Sequence, residues 1–237
     1  MKVREEYTRE NYPSFGKKYN SERAVISLTS WKARIDTVSK TLYSLIKQCP
    51  GFHIVLVLSE EEFPKMMDEM PASLKLFVKN ELIEVLWVYK NYKSFKKVLF
   101  TMDKYRDVPV ISADDDCIYT CNYADLLYKK WLKHQGHVIS LHGWSSGYGI
   151  IFPPIRNLDL HLERITKAII DTNNDDMFYH FLFSKNFIEN KIDGKDILIF
   201  SDASKVLPIT TSKRKALYSK KSYKDRILGI FRDEYNK

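Results

Sequence analysis

The sequence is poor in several residues that build particular classes of protein. Its 237 residues include 3 cysteines, 8 glycines and 8 prolines. The cysteines, at 49, 117 and 121, form neither a disulfide framework nor the paired spacings of a zinc site, which favours a reducing compartment. Few glycines and prolines exclude a collagen-like or wholly disordered chain. No apolar run approaches the roughly 18 residues that span a membrane, and the N-terminus lacks the apolar core of a secretion signal. We therefore expect a cytoplasmic, globular protein.

The excess positive charge is concentrated near the C-terminus. Residues 203–237 carry ten Lys and Arg against three Asp and Glu, so this segment holds +7 of the net charge of +8. A nearly neutral body argues against a nucleic-acid groove across it. Within the segment, Tyr223, Ile227, Ile230 and Phe231 share one helical stripe surrounded by basic residues, a pattern typical of helices on anionic membranes. The pattern predicts peripheral attachment to the inner membrane; the alternative is an ordinary helix packed on the domain.

The body of the chain alternates strand-like and helix-like segments. Strands are predicted at residues 24–28, 53–58, 82–88, 108–112 and 137–141, and apolar residues at helical spacing predict helices at 35–46, 95–102 and 158–169. Asn122 is expected to cap a further helix that runs to about residue 135. The strands are continuously apolar, which indicates a mostly parallel sheet with both faces covered by helices, an α/β fold. In such sheets the ligand lies beyond the carboxyl ends of the strands.

Three consecutive aspartates, Asp114, Asp115 and Asp116, follow the strand at 108–112. Neighbouring carboxylates repel one another, and a divalent cation relieves that repulsion. Their hard oxygen atoms suit Mg²⁺ or Mn²⁺. In extended backbone Asp114 and Asp116 point to one side and Asp115 to the other, which allows two roles. The alternative, a solvated acidic turn, is weakened because apolar residues continue the segment. The triplet therefore predicts a metal site that holds a diphosphate.

Several short segments share a pattern with one family. They are residues 25–35 (VISLTSWKARI), 58–64 (LSEEEFP), 93–97 (KSFKK), 112–119 (SADDDCIY), 147–154 (GYGIIFPP) and 174–178 (NDDMF). In order and spacing the chain resembles bacterial nucleotide-sugar-dependent glycosyltransferases of the GT-A fold, of the type found in capsule and lipopolysaccharide assembly. The resemblance implies a single GT-A-like (Rossmann-like) domain at 23–202. Its donor half is 24–130 and its acceptor half is 131–202, after an N-terminal extension (1–22) and before a basic tail (203–237).

The resemblance also implies roles on the donor side. The triplet becomes the DxD motif, with Asp116 and Asp114 on Mn²⁺ or Mg²⁺ and Asp115 near the ribose. The remaining nucleotide-sugar contacts implied are Thr29, Ser30, Arg34, Lys96 and Lys97. For the two lysines the alternative is a solvated helix face.

On the acceptor side, the resemblance points to Asp175 and Asp176 as candidates for the base of an inverting transfer, which must take a proton from the attacking hydroxyl. The alternative is a helix N-cap. The sugar contacts implied are Trp144, Gly147, Tyr148 and Gly149, although residues 150–152 depart from the family pattern.

The function predicted from the sequence is transfer of a hexose to a glycan or lipid-linked glycan in surface polysaccharide synthesis. The donor that we favour is a UDP-sugar. Two alternatives stay open. A metal-dependent nucleotidyltransferase or phosphohydrolase would use the same acidic triplet. A nucleic-acid-binding module built around residues 203–237 would bind in a strongly salt-dependent way.

Overall fold

The computed structural model describes residues 23–48, 51–141, 148–156, 159–189, 197–199, 206–208 and 221–236. Within these ranges, seven strands form the main sheet in the order β3-β2-β1-β4-β7-β6-β8, and β5 pairs with β9 in a separate two-stranded sheet. The strands are β1 Ala24–Thr29, β2 Phe52–Ser59, β3 Glu84–Val88, β4 Val110–Ser112, β5 Cys117–Tyr119, β6 Val138–Ser140, β7 Ile150–Phe152, β8 Ile197–Ile199 and β9 Val206–Pro208.

The helices connect these strands, except for α7, which follows β9. They are α1 Val38–Ile46, α2 Ala72–Lys79, α3 Lys96–Lys104, α4 Tyr123–Lys133, α5 Lys167–Asp171, α6 Asp175–Glu189 and α7 Lys221–Tyr235. Strands β3, β2, β1 and β4 run parallel to one another, β7 is antiparallel to β4 and β6, and β8 is parallel to β6. The mostly parallel sheet flanked by helices confirms the predicted fold class.

Both faces of the sheet are covered, which explains why the strands are continuously apolar. Along β1, Ala24, Ile26 and Leu28 face one buried cluster, to which α1, α2 and α4 contribute. Val25 faces a second buried cluster on the opposite face, to which α3, α5, α6 and α7 contribute. Ser27 also lies on that second face, where its hydroxyl and that of Thr101 share a hydrogen bond of 2.6 Å. Alternate side chains of β1 thus contribute to two buried clusters, one on each face of the sheet.

The structure corrects the predicted helix at residues 158–169. His161 has a left-handed backbone with φ of +44°, which a continuous helix does not allow. A short 3₁₀ turn, Leu162–Arg164, follows it, and the α-helix begins only at Lys167. The hydroxyl of Thr166 accepts a hydrogen bond from the N–H of Ile169 and so caps α5.

The predicted side-chain cap at Asn122 is also wrong, although α4 does begin at Tyr123. The amide oxygen of Asn122 instead accepts a hydrogen bond from the hydroxyl of Thr120, at 2.9 Å. The start of α4 is held by another residue, because the side-chain oxygen of Gln48 accepts from the N–H of Ala124 at 3.0 Å.

The C-terminal helix α7 packs on the domain. Ile227, Phe231 and Tyr235 are buried in the second cluster. The ring of Phe231 lies 5.2 Å from that of Phe178 on α6, and the hydroxyl of Tyr235 donates to the backbone oxygen of Leu160 at 2.5 Å. Ile227 and Phe231, two residues of the apolar stripe on which the membrane prediction depended, are therefore used in packing.

No helix in the described part of the chain is long and apolar enough to cross a membrane. The predicted N-terminal extension, residues 1–22, lies outside the described residues.

Candidate active site

The acidic triplet lies in the turn that joins β4 to β5, at the carboxyl edge of the parallel strands. The backbone N–H of Asp114 donates to the hydroxyl of Tyr119 at 2.7 Å. From α1, the hydroxyl of Thr41 lies 2.9 Å from the backbone oxygen of Asp115 and 2.8 Å from that of Cys117. The turn is thus anchored from both sides. Thr41 and Tyr119 were not predicted from the sequence, since a hydroxyl that supports backbone has no motif of its own.

The three carboxylates have different surroundings. The Asp115 side chain is 5 % exposed, whereas those of Asp114 and Asp116 are 32 % and 29 % exposed. Asp115 accepts from the hydroxyl of Ser30 at 2.6 Å, and its other oxygen lies 2.9 Å from Arg34 Nη1. Burial raises the pKa of Asp115, and the bond from Ser30 and the charge of Arg34 oppose that rise. Asp114 and Asp116 are therefore the members of the triplet that a ligand can reach.

Of the three predicted nucleotide contacts at the end of β1 and just after it, two contact the triplet. Arg34 Nη1 lies 2.6 Å from Asp116 Oδ2, so one guanidinium contacts two aspartates. Ser30 binds Asp115, as described above. The hydroxyl of Thr29 donates to the backbone oxygen of Val57 at 2.7 Å and so links β1 to β2. The structure thus places Ser30 and Arg34 at the triplet and gives Thr29 a bond within the sheet.

A buried lysine connects the triplet to the acidic pair on α6. Lys97 Nζ lies 2.7 Å from Asp114 Oδ1 and 3.4 Å from Asp175 Oδ2, and its side chain is 4 % exposed. Burial alone would lower the pKa of Lys97, but the two carboxylates raise it above its usual value. The predicted donor side and acceptor side therefore meet at one ion-paired cluster.

The acidic pair lies in the first turn of α6, where the helix dipole favours negative charge. Asp175 and Asp176 are 9 % and 6 % exposed. Burial and the neighbouring charge of Asp175 raise the pKa of Asp176 to about 6. Asp175 faces the charge of Lys97, whose Nζ lies 3.4 Å from its Oδ2. A carboxyl group with the pKa of Asp176 can take up and release a proton near neutral pH.

Lys96 is equally buried but holds different partners. Its Nζ donates to the backbone oxygen of Lys93 at 3.0 Å and lies 3.4 Å from both Glu62 Oε2 and Asn91 Oδ1. Burial lowers its pKa, and the charge of Glu62 opposes this. Lys96 thus joins the segments that follow β2 and β3. In this structure, neither Lys96 nor Lys97 exposes its ammonium group for the predicted contact with a nucleotide.

The glycine-rich segment before β7 is described in part. Gly149 has a φ of +74°, a conformation that favours glycine. Its N–H lies 3.1 Å from the backbone oxygen of Ser112 and 3.0 Å from the hydroxyl of Tyr123, which fixes it beside the end of β4. Tyr148 is half-buried and packs against the first cluster. The predicted sugar contacts Trp144 and Gly147 lie outside the described residues.

The residues present fit a divalent cation. Among the described residues, the cluster comprises five carboxylates, Asp114, Asp115, Asp116, Asp175 and Asp176, and two cationic side chains, Lys97 and Arg34. Neighbouring carboxylates in excess over their cationic partners favour a further cation. Among the described residues no three His, Cys, Asp or Glu side chains converge as a complete metal cage. Mg²⁺ is commonly bound by one or two carboxylates together with substrate phosphates, and Asp114 and Asp116 suit that arrangement.

Comparison with solved structures confirms the predicted fold. The chain superposes on S. aureus TarS with a TM-score of 0.50 and 11 % identity, over 90 % of this chain and 43 % of TarS. For TarS 1–349 in complex with UDP, the TM-score is 0.52 at 11 % identity, over 78 % of this chain and 59 % of that one. For the mannosyltransferase PcManGT from Pyrobaculum calidifontis, in complex with GDP-Man and Mn²⁺, it is 0.52 at 13 % identity, over 76 % and 55 %.

The chain therefore spans about half the length of these solved structures. At such low identity the likeness concerns the fold, which is the GT-A-like fold of glycosyltransferases. No protein-family model matches the sequence, and no curated protein matches it.

Proposed function

We propose that this protein is a metal-dependent glycosyltransferase that moves a sugar from a nucleotide-sugar donor to a glycan acceptor with inversion. The observation that carries the proposal is the ion pairing of Lys97 with both Asp114 and Asp175, at 2.7 and 3.4 Å. A transferase must bring a donor diphosphate and an acceptor hydroxyl together, and this lysine joins the two acidic groups that suit those tasks. The fold, shared with TarS and PcManGT, supports the same class of reaction.

The donor would bind at the exposed members of the triplet. Asp116 and Asp114 would hold Mn²⁺ or Mg²⁺, and the cation, when bound, neutralises the charge that develops on the departing nucleoside diphosphate. Asp115 is buried and bonded to Ser30, so it shapes the turn and stands close to where a ribose would lie. Arg34 Nη1 carries positive charge at the same point. UDP is the donor nucleotide we favour, as the resemblance implies and as the UDP complex of TarS supports.

Asp176 is the base that we favour over Asp175. The Lys97 ammonium lies 3.4 Å from Asp175 Oδ2, so this carboxylate is already engaged in an ion pair. The pKa of Asp176, raised to about 6, matches a base that works near neutral pH. In this assignment Asp175 positions Asp176 and raises its pKa, while Asp176 accepts the proton of the attacking hydroxyl.

The proposal is tested by donor turnover in the presence of Mn²⁺. The purified protein is incubated with UDP-glucose, UDP-N-acetylglucosamine or GDP-mannose, and release of nucleoside diphosphate is measured. Asp116→Asn should abolish release while the urea unfolding midpoint changes little, because the side chain is 29 % exposed. Asp107→Asn is the matched control, since this aspartate is 81 % exposed and pairs with Arg156, outside the cluster. Full turnover by Asp116→Asn would contradict the assignment.

The products separate this proposal from its enzymatic alternative. Sugar transfer releases the nucleoside diphosphate from a nucleotide sugar. A phosphohydrolase acting at the same triplet would instead release nucleoside monophosphate and sugar 1-phosphate. A nucleotidyltransferase would pass the nucleoside monophosphate group to an acceptor and release sugar 1-phosphate. Chromatography of the products therefore decides among these reactions.

We also propose, from the resemblance, that the acceptor belongs to surface polysaccharide synthesis and is a lipid-linked glycan. Attachment to the inner membrane would use exposed basic residues such as Arg226 and Arg232, because Ile227, Phe231 and Tyr235 of α7 are buried in the domain. Co-sedimentation with anionic vesicles should decrease in an Arg226→Glu/Arg232→Glu variant. Unchanged pelleting would remove the role of α7 in attachment.

A further inference from the structure

The guanidinium group of Arg34 leaves one of its hydrogen-bond donors without a partner among the described residues. A single nitrogen, Nη1, contacts both Asp115 Oδ1 at 2.9 Å and Asp116 Oδ2 at 2.6 Å. A paired arginine usually binds a carboxylate through two parallel N–H donors. Here Nε is buried and has no hydrogen-bond partner among the described residues. Since an unsatisfied buried donor costs free energy, a better partner for this guanidinium would draw it away from its present position.

The two aspartates depend on Arg34 to different degrees. Asp115 has a second, independent partner, because the hydroxyl of Ser30 donates to its other oxygen at 2.6 Å. Asp116 is more exposed, at 29 % of its side chain, and its Oδ2 faces Arg34. Asp116 is also one of the two carboxylates that we propose for the divalent cation. A doubly charged ion bound there would repel the guanidinium.

Arg34 is placed where its side chain can move. It lies in the turn of residues 32–37 that connects β1 to α1, and its side chain is 40 % exposed. Its long flexible stem can carry the head group to another anion without a change in the backbone. A diphosphate at the triplet would be such an anion, because guanidinium groups bind phosphate through paired donors.

We propose that Arg34 is an exchangeable counter-ion of the triplet: it competes with the divalent cation for Asp116 and, once displaced, binds the donor diphosphate. The inference rests on the proposed function, because it needs both a cation and a diphosphate at this site. Arg34 would then oppose cation binding in the absence of a nucleotide and support it when a nucleotide is present. The cation and the donor would thereby bind cooperatively.

Calorimetry with Mn²⁺ and then UDP tests this exchange. Without nucleotide, Arg34→Gln should bind Mn²⁺ about tenfold more tightly than the wild type, since it no longer has to break an ion pair. With Mn²⁺ saturating, the same variant should bind UDP about tenfold more weakly. Lys32→Gln is the matched control: it removes the same charge from the same turn, but Lys32 is 68 % exposed and pairs with Glu69 at 3.6 Å. It should change both affinities less than about twofold.

A second measurement follows Arg34 in the wild-type chain. The ¹⁵Nε resonance of Arg34, identified by its loss in Arg34→Lys, should shift when Mg²⁺ is added without nucleotide. Equal or weaker Mn²⁺ binding by Arg34→Gln, equal tightening in Lys32→Gln, or an unmoved resonance at saturating Mg²⁺ would each overturn the inference and leave the proposed function standing. A wild-type protein that binds neither Mn²⁺ nor UDP would instead overturn the proposed function, and the inference with it.

Discussion

Replacement of Phe231 by alanine tests whether α7 belongs to the folded domain. Phe231 is fully buried, and its ring lies 5.2 Å from that of Phe178 and 5.9 Å from that of Phe181. A buried phenylalanine replaced by alanine costs about 3–5 kcal/mol through lost burial and the cavity that remains. Lost aromatic contacts place Phe231→Ala in the upper part of this range. For a domain of this size the melting temperature should fall by about 8–20 °C.

The assay is equilibrium unfolding in urea, followed by intrinsic fluorescence, with the free energy taken by linear extrapolation. Arg232→Ala is the control, because it changes the next residue of the same helix on the exposed side and should cost less than about 0.5 kcal/mol. Phe231→Leu, which keeps much of the volume, should recover a large part of the stability. A loss below about 1 kcal/mol for Phe231→Ala would refute the packing of α7 on the domain.

Three further predictions concern charged groups. Lys97→Met should lower the free energy of unfolding by about 3–5 kcal/mol in the urea assay, because two carboxylates lose their buried cation. The control Lys40→Met, on the exposed side of α1, should change this free energy little. The rate of donor turnover should fall as the pH drops below about 6, where Asp176 becomes protonated; Asp175→Asn should move this limb to lower pH, and an unmoved limb would contradict the coupling. Burial alone would raise the pKa of Glu84, but hydrogen bonds from His53 and Lys104 lower it from 4.5 to about 2. The stabilisation by Glu84 is thus present above pH 4.5 and lost as the pH falls toward 2, so the difference between wild type and Glu84→Gln, up to about 3 kcal/mol, should shrink over this interval in urea unfolding.

Much of the fold could be predicted because the strands carry their own signal. Both faces of β1 and β2 are buried, so most of their residues are apolar and the strand type is clear from the sequence. Strands β5, β7, β8 and β9 were not predicted; each has three residues and takes its structure from partners far along the chain. Local patterns carry no information on those partners. The helix predicted across residue 161 was wrong because His161 has a left-handed backbone, which the apolar spacing of the sequence does not reveal.

The candidate site was predicted in outline but not in its connections. The aspartates stood out because three adjacent carboxylates after an apolar strand are unusual, and the pair at Asp175 and Asp176 came from the resemblance. What the sequence does not reveal is that Lys97 bridges the two groups or that Arg34 holds two aspartates with one nitrogen. These contacts join residues up to 82 positions apart, so they depend on tertiary packing.

The contacts of α7 have a consequence for hydrogen exchange in the helix beneath it. The hydroxyl of Tyr235 bonds to Leu160, and the Thr166 hydroxyl donates to Glu234 at 2.9 Å, so α7 closes one side of the core. The rings of Phe231 and Tyr235 cover that of Phe178 on α6, so local detachment of α7 would expose Phe178 to water. The backbone amides around Phe178 would therefore exchange with deuterium at a rate set by the opening of α7.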